Sequence, residues 1–433
     1  TLLPQQQTPA DGVSIPHNLT LQQAEQLLLQ RSLAVLAAKY QVEANRAARL
    51  IASFKPNPTL TLGAEQFNLS GRLFKDIART DSNSAAATTY TVRYDQLIER
   101  GGKRELRTEL ADNQLQASEA QMLDAARTQL YQLRLAFTTA ALARENLMLV
   151  EATKQQYDQT IRLTAAKVEN GDLAGVELYR VQAAALQYQQ AVQQARTTYQ
   201  QASRDILNLL GARVEDVQAA RQIADAETDK WRSGEKEVKI ANVSLRSVSI
   251  SSEDFNGEPL EIEFKFDDRP LTHAPVELRE QALAERPDVI AARRLYDAAA
   301  KGVSLAVAQR VRDVSIGTFL QRVGSDQTLG VNVSIPLFLH NKGFAVISQA
   351  ESQKEAAATL VRQSELQAVT DVEKAYLAYQ SARRTLDLYN STTLERASKL
   401  KIIAAVSYKE GASSLIELLD AERTYNQTIS SYN

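Results

Sequence analysis

Apolar and polar residues alternate singly from Tyr90 to Asp95, with Tyr90, Val92 and Tyr94 on one parity and Thr91, Arg93 and Asp95 on the other. That period of two predicts a strand with one apolar and one polar face. After Gly101-Gly102 the rhythm changes, and Lys103 to Asn170 contains neither Gly nor Pro. Heptad-like spacing predicts a single helix there, about 100 Å long at 1.5 Å per residue. Leu130, Leu133, Phe137, Ala140 and Leu147 form one seam, and Leu135, Leu142 and Leu149 form another. Two seams imply two neighbours.

The pattern is written twice. "VENGDLAGVELYRVQA" (168–183) returns as "YKEGASSLIELLDAER" (408–423), with Gly171 on Gly411, Glu177 on Glu417 and Leu178 on Leu418. The same offset puts Leu97 on Leu337, whereas "QLLLQRSLAVLAAK" (26–39) matches "QALAERPDVIAARR" (281–294) at a longer one. The first copy of the hairpin therefore carries an insertion, assigned to Asn68–Ala87. Each half reads short helix, helix, strand, loop, strand, very long helix, turn, long helix. Strands are expected at 59–67 and 88–98 in the first half, and at 314–321 and 328–339 in the second. Pro56 and Pro58 close the helix before the first strand, and Pro336 stands where the fourth strand hands over to helix.

This organisation divides the chain into an N-terminal extended segment (1–18), shorter helices (19–55 and 276–311), strand hairpins (56–100 and 312–340) and long helices (101–210 and 341–433). Residues 211–275 match neither copy; they hold the single Trp231 and are read as a small mixed insertion between the repeats.

Composition narrows the functional classes. Lys+Arg 50 against Asp+Glu 52 leaves a net charge of −2, so no basic field exists to hold nucleic acid. The 44% hydrophobic content supports a folded core. With no cysteine, disulfides, thiolate metal sites and Cys nucleophiles are excluded. The chain starts at Thr1 without Met and is read as one from which a signal peptide has been removed. No window is long and apolar enough for a membrane helix, but barrel strands escape that test. Strands of about 8 to 12 residues cross a bilayer when tilted. Four cannot close a barrel, and open edges in lipid are costly, so several chains must share one.

The two repeats, paired hairpins, long helix pairs and inter-repeat insertion resemble the outer membrane factors of the TolC type, over nearly the whole chain. "IERGGKRELR" (98–107) is most similar to the heavy-metal (cobalt-zinc-cadmium) efflux branch. The resemblance implies a mainly α fold with a membrane β-barrel contribution, assembled as a homotrimer with one twelve-stranded barrel and a twelve-helix periplasmic tunnel. It further implies residence in the Gram-negative outer membrane, a periplasmic adaptor, an inner-membrane pump and export of heavy-metal cations. Multidrug efflux or type I secretion is the alternative within the family. A soluble coiled-coil scaffold shares the heptads but has no use for strand pairs at equivalent points of a repeat.

Gly101, Gly102, Lys103 and Arg104 lack the spacing and the preceding buried strand of a phosphate loop; they read as a strand-to-helix swivel, together with Pro336 and Gly343. The glycine turns read as helical corners, with Asp172 or Ser413/Ser414 available to cap the following helix. The resemblance makes these corners the periplasmic tip, and on that basis assigns adaptor docking to Val168, Gly171, Leu173, Tyr408, Gly411 and Ser414. Glu169, Asp172, Glu177, Glu410, Glu417 and Asp420 crowd the same corners; any that point inward would be multiplied by threefold symmetry into a cation-favouring ring. His17, His273 and His340 are scattered, and no metal site, cofactor site or catalytic set is predicted.

Overall fold

The structure, a computed structural model, describes residues 18–65, 89–212, 260–266, 269–323, 326–337, 342–389 and 391–433. The chain forms two compact units, Thr1–Ala37 with Ala125–Pro275 and Val372–Asn433, and Ala38–Asp124 with Val276–Asp371. Its elements are β1 (Asn18–Thr20), α1 (Leu21–Arg31), α2 (Leu33–Ser53), β2 (Thr59–Glu65), β3 (Thr89–Ile98), α3 (Lys103–Glu169), α4 (Gly175–Leu209), β4 (Glu261–Glu263), α5 (Pro275–Glu285), α6 (Pro287–Ala308), β5 (Val314–Val323), β6 (Asp326–Ser334), α7 (Phe344–Leu388), α8 (Ser391–Lys409) and α9 (Leu415–Tyr432).

In the second unit the expected strands form one antiparallel sheet in the order β2-β3-β5-β6. Its register sets Leu62 opposite Val92, Val92 opposite Leu320, and Leu320 opposite Leu329. Since strand side chains alternate between faces, one face carries Leu60, Leu62, Tyr90, Val92, Tyr94, Ile316, Leu320, Leu329, Val331 and Val333 across all four strands. These are not core residues: Leu62, Leu329 and Val333 are 71%, 77% and 61% exposed. The opposite face brings together Thr61, Arg93 and Phe319, and next to them Asp95, Gly317 and Asn332. There Arg93 Nε lies 2.7 Å from Asp95 Oδ2, and Asn332 Nδ2 donates to Asp95 Oδ1 at 3.3 Å. A Cβ at Gly317 would strike both Asp95 and Asn332.

Strand limits differ from expectation at two places. β5 runs two residues further, to Val323, and β6 starts two earlier, at Asp326, because the pairing continues as far as Val323 opposite Asp326. β6 stops at Ser334 and Ile335–Leu337 are not strand, since Pro336 has no N–H to give to a ladder and constrains Ile335 before it, while 338–339 of the expected strand lie outside the described residues. Residues 66–67 of the expected first strand, the insertion Asn68–Ala87, His17, His340 and Trp231 lie outside the described residues.

In the first unit the core is built on the first predicted seam. Leu133, Phe137, Ala140 and Leu147 of α3 are buried with Leu28, Ile206, Leu207 and Leu210. A signal absent from the sequence pattern completes it: β1 pairs in parallel with β4, setting Leu19 beside Ile262. So residues 260–263 of the inter-repeat insertion join the N-terminal segment in a two-stranded ribbon that roofs α3 and α4. Tyr199 Oη donates to the Leu260 carbonyl at 2.8 Å, and Arg144 Nη1 to that of Ile262 at 2.6 Å. Of the second seam, Leu135 is exposed while Leu142 and Leu149 are half-buried.

The very long helix expected in the second half is interrupted. α7 ends at Leu388 and α8 begins at Ser391, while the Thr393 hydroxyl donates to the Leu388 carbonyl at 3.3 Å. The sequence Asn390-Ser391-Thr392-Thr393 is a run of residue types with low helix preference, which weakens helix continuity there. No such run occurs at the matching part of α3.

Candidate functional site

The strand-to-helix junction lies in the second unit. Gly101 and Gly102 adopt φ of +77° and +69°, a left-handed pair that turns the chain from β3 into α3. A Cβ on Gly101 would also lie 2.9 Å from Val311 Cβ. Lys103, almost wholly buried, donates from Nζ to Asp313 Oδ1 at 2.8 Å, and the Arg100 backbone N–H donates to the same oxygen at 2.9 Å. Arg104 pairs locally with Glu105 at 2.7 Å. Pro336 ends β6, and Gly343, with φ of +78°, opens α7.

Three residues of this junction escaped sequence reasoning. Asp313 receives the lysine, and Arg107 forks onto Glu99 at 2.8 and 3.2 Å while also donating to the Ala52 carbonyl at 3.0 Å. An i, i+8 spacing across a strand and a helix start has no sequence signature. Gly101→Ala is expected to destabilise the fold by about 1–2 kcal/mol, from left-handed backbone strain and crowding against Val311. Gly102, with nothing near its missing Cβ, isolates the backbone part. Equal thermal melts for Gly101→Ala and Gly102→Ala would show that Val311 crowding adds nothing.

The two glycine turns lie in the first unit and are built alike. At α3 the Gly171 N–H donates to the Val168 carbonyl at 3.0 Å and the Asp172 N–H to Lys167 at 2.8 Å. At α8 the Gly411 N–H donates to Tyr408 at 3.2 Å and the Ala412 N–H to Ser407 at 2.8 Å. These are paired 6→1 and 5→2 closures about a left-handed glycine, with φ of +84° at Gly171 and +77° at Gly411. The following helices start differently. Ser414 caps α9 through a reciprocal box with Glu417, at 3.3 and 3.4 Å. Before α4 the cap is Ala174, without a side-chain bond, so neither Asp172 nor Ser413 takes the capping role expected as an alternative.

Tyr408 differs from its expected place on a docking surface: it is 3% exposed, inside a cluster with Val181, Leu415 and Leu418. Its hydroxyl is 2.8 Å from Thr164 Oγ1. Lys167 stands over its ring at 4.9 Å and donates to the carbonyls of Tyr408 and Lys409 at 2.8 and 3.2 Å. A cation on the last carbonyls of α8 also offsets the negative end of that helix. Ring burial and this cation together tie the end of α3 to the end of α8. Val168 and Leu173 are half-buried, while Gly171, Gly411 and Ser414 are exposed.

Of the acidic candidates, Glu169, Asp172, Glu410 and Asp420 are exposed. Glu177 is engaged by Arg180 at 2.8 Å, and Glu417 is occupied in its capping box. A seventh carboxylate, Glu422, was missed, although it is the one driven inside: it is 2% exposed. It follows the tip motif by two turns on the face of Leu415 and Leu418, a position that periodicity alone would have assigned to an apolar residue. Among the described residues no group of His, Asp and Glu could hold a metal ion.

Residues 24–212 and 278–432 match the outer membrane efflux protein family. The chain belongs to that family. Matching stops on either side of residues 213–277, the inter-repeat segment. The chain is 30% identical over 156 residues to the pyoverdine export outer membrane protein OpmQ of Pseudomonas putida KT2440, covering 34% of this chain and 33% of that one. It is 24% identical over 301 residues to the alkaline protease secretion protein AprF of Pseudomonas aeruginosa, covering 66% and 54%. The chain therefore matches about a third and about half of the length of these relatives. The crystal structure of the outer membrane protein VceC from Vibrio cholerae superposes with a TM-score of 0.69 at 17% identity, over 95% of this chain and 91% of that one. The fold is that of TolC-like channels, mainly helical with a strand contribution. The outer membrane efflux protein family is one of non-enzymatic transport proteins.

Proposed function

We propose that the protein is the outer-membrane exit duct of a tripartite export system, working as a homotrimer with a periplasmic adaptor and an inner-membrane pump. The observation that carries this reading is the two-faced sheet. Its apolar face is exposed on all four strands, which suits lipid, and its other face bears the Arg93–Asp95–Asn332 group, which suits a water-filled lumen. β2 and β6 are the sheet's edges within the chain. Unpaired backbone is costly in hydrocarbon, so those edges pair with other copies, and three copies supply twelve strands. The long helices continue into the periplasm, where the turns at Gly171 and Gly411 form the gated tip. Val168, Gly171, Leu173, Gly411 and Ser414 meet the adaptor, while Tyr408 and Lys167 hold the closed arrangement. Exposed carboxylates at the turns favour cations at the mouth.

For the cargo, the resemblance of Ile98–Arg107 to the heavy-metal branch supports export of divalent metal cations. The names of OpmQ and AprF favour a second reading, export of a siderophore or a protein. Deleting the gene in its host and measuring growth in cobalt, zinc and cadmium separates them. Metal sensitivity, reversed by the wild-type gene, is the expected result. Unchanged metal tolerance with loss of a secreted siderophore or protein would decide for the second reading.

A further inference from the structure

The carboxyl group of Glu422 is enclosed by three helices. Oε1 accepts from Gln156 Nε2 on α3 at 2.6 Å, and Oε2, also buried, has no hydrogen-bond partner among the described residues. Tyr157 of α3 packs beside it, against Tyr188 of α4 at 4.5 Å between ring centres. The cation that acts on it is Lys401 of α8, whose Nζ sits 4.5 Å over the ring of Tyr425. One turn beyond, Thr153 Oγ1 donates to Asn426 Oδ1 at 3.2 Å. One and two turns before it on α9, Leu418 and Leu415 enter the cluster that buries Tyr408.

We propose that Glu422 is a proton-sensitive latch between α9 and α3, holding the helical turns closed when protonated and loosening them when ionised. The proposal rests on the reading of those turns as the gate of an exit duct. A neutral carboxyl fits this enclosure, with one oxygen accepting from Gln156 and little else to solvate it. A carboxylate there is a buried charge with one hydrogen bond, a costly arrangement. The titratable and charged groups facing it are Tyr157 from α3, Tyr188 behind it from α4, and Lys401 from α8. Burial holds the Tyr157 hydroxyl protonated, so it supplies no competing charge. At Glu422, burial outweighs the attraction of Lys401 and the Gln156 hydrogen bond, and pushes the carboxyl from 4.5 up to about 7.

The sign follows from linkage. When α9 lifts away, Glu422 meets water and returns toward its ordinary value. The packed arrangement then holds more protons between those two values, so packing weakens as pH rises from about 4.5 through about 7, and the effect levels off above. Between pH 5 and pH 8 the opening equilibrium shifts by about 70-fold toward the loosened state.

Hydrogen–deuterium exchange on the full chain in lipid nanodiscs, corrected for the intrinsic pH dependence of exchange, reads this opening at the amides of α9 and of the α3 segment around Gln156. Expected is a rise of several tens-fold from pH 5 to pH 8 in the wild type, and a flat, protected profile in Glu422→Gln. A wild-type profile flat within about threefold, or a Glu422→Gln profile that follows the wild type, would overturn the latch. Should Glu422→Gln fail to assemble, the wild-type curve decides alone, a midpoint near 7 supporting the proposal and its absence overturning it. Imaging the same discs keeps the two readings apart: a pH-dependent opening in discs without a trimeric tube would overturn the duct and leave the proton coupling of Glu422 standing.

Discussion

Val333→Arg is expected to prevent assembly of the protein in the membrane, while Thr91→Arg on the opposite face of the same sheet leaves assembly intact. Val333 lies opposite Ile316, on the apolar face shared by all four strands, whereas Thr91 lies opposite Gln321 on the polar one. A guanidinium on the lipid face costs about 2–4 kcal/mol at the bilayer midplane and less toward the interface, on whose side of the strand Val333 lies. The proposed trimer would carry three copies of the change, so the penalty would recur at each protomer. On the lumen face the same side chain remains in water. The measurement is the amount of heat-stable trimer in outer-membrane fractions of cells expressing each variant at equal levels. Normal trimer from Val333→Arg would mean that this face does not meet lipid, and the membrane reading would fall with it.

At the helical turns, Tyr408→Ala is expected to open the channel. The change removes a buried aromatic ring, a loss of about 3–5 kcal/mol in comparable cores, and strips Thr164 of its hydroxyl partner and Lys167 of the ring beneath it. Lys167 keeps its bonds to the Tyr408 and Lys409 carbonyls, because those are backbone groups. Tyr408→Phe is the milder companion. It retains the ring and leaves the buried Thr164 hydroxyl without Tyr408, at about 1–3 kcal/mol. Single-channel recording in planar bilayers should show conductance rising in the order wild type, Tyr408→Phe, Tyr408→Ala. A Tyr408→Ala channel with lowered thermal stability and wild-type conductance would separate the turns from gating and return them to a purely structural role.

Elements governed by periodicity were legible in the chain. The strand at Tyr90–Asp95, the uninterrupted helix from Lys103, the seam at Leu133–Leu147 and the duplicated glycine turns each follow from local spacing that the backbone obeys. Where a long-range partner decides the outcome, spacing failed. The β1–β4 ribbon joins three residues at either end of a long intervening stretch, and three-residue strands leave no period to detect. Tyr408 and Glu422 share this difficulty. An exposed tyrosine and a buried one look alike in sequence, as do a solvated carboxylate and one turned toward Gln156.

By itself the sequence determined the repeat, the two-faced character of the strands, the length of α3 and the positions of the turns, because strand alternation, helix rise and the left-handed preference of glycine are properties of short stretches of chain. Only the tertiary structure decided that the four strands order as β2-β3-β5-β6 with their apolar residues on one face, that Lys103 meets Asp313, that Tyr408 is enclosed, and that Glu422 lies where water does not reach. Those outcomes depend on which surfaces meet, and hence on desolvation and packing between segments far apart in the chain, quantities that no local pattern carries.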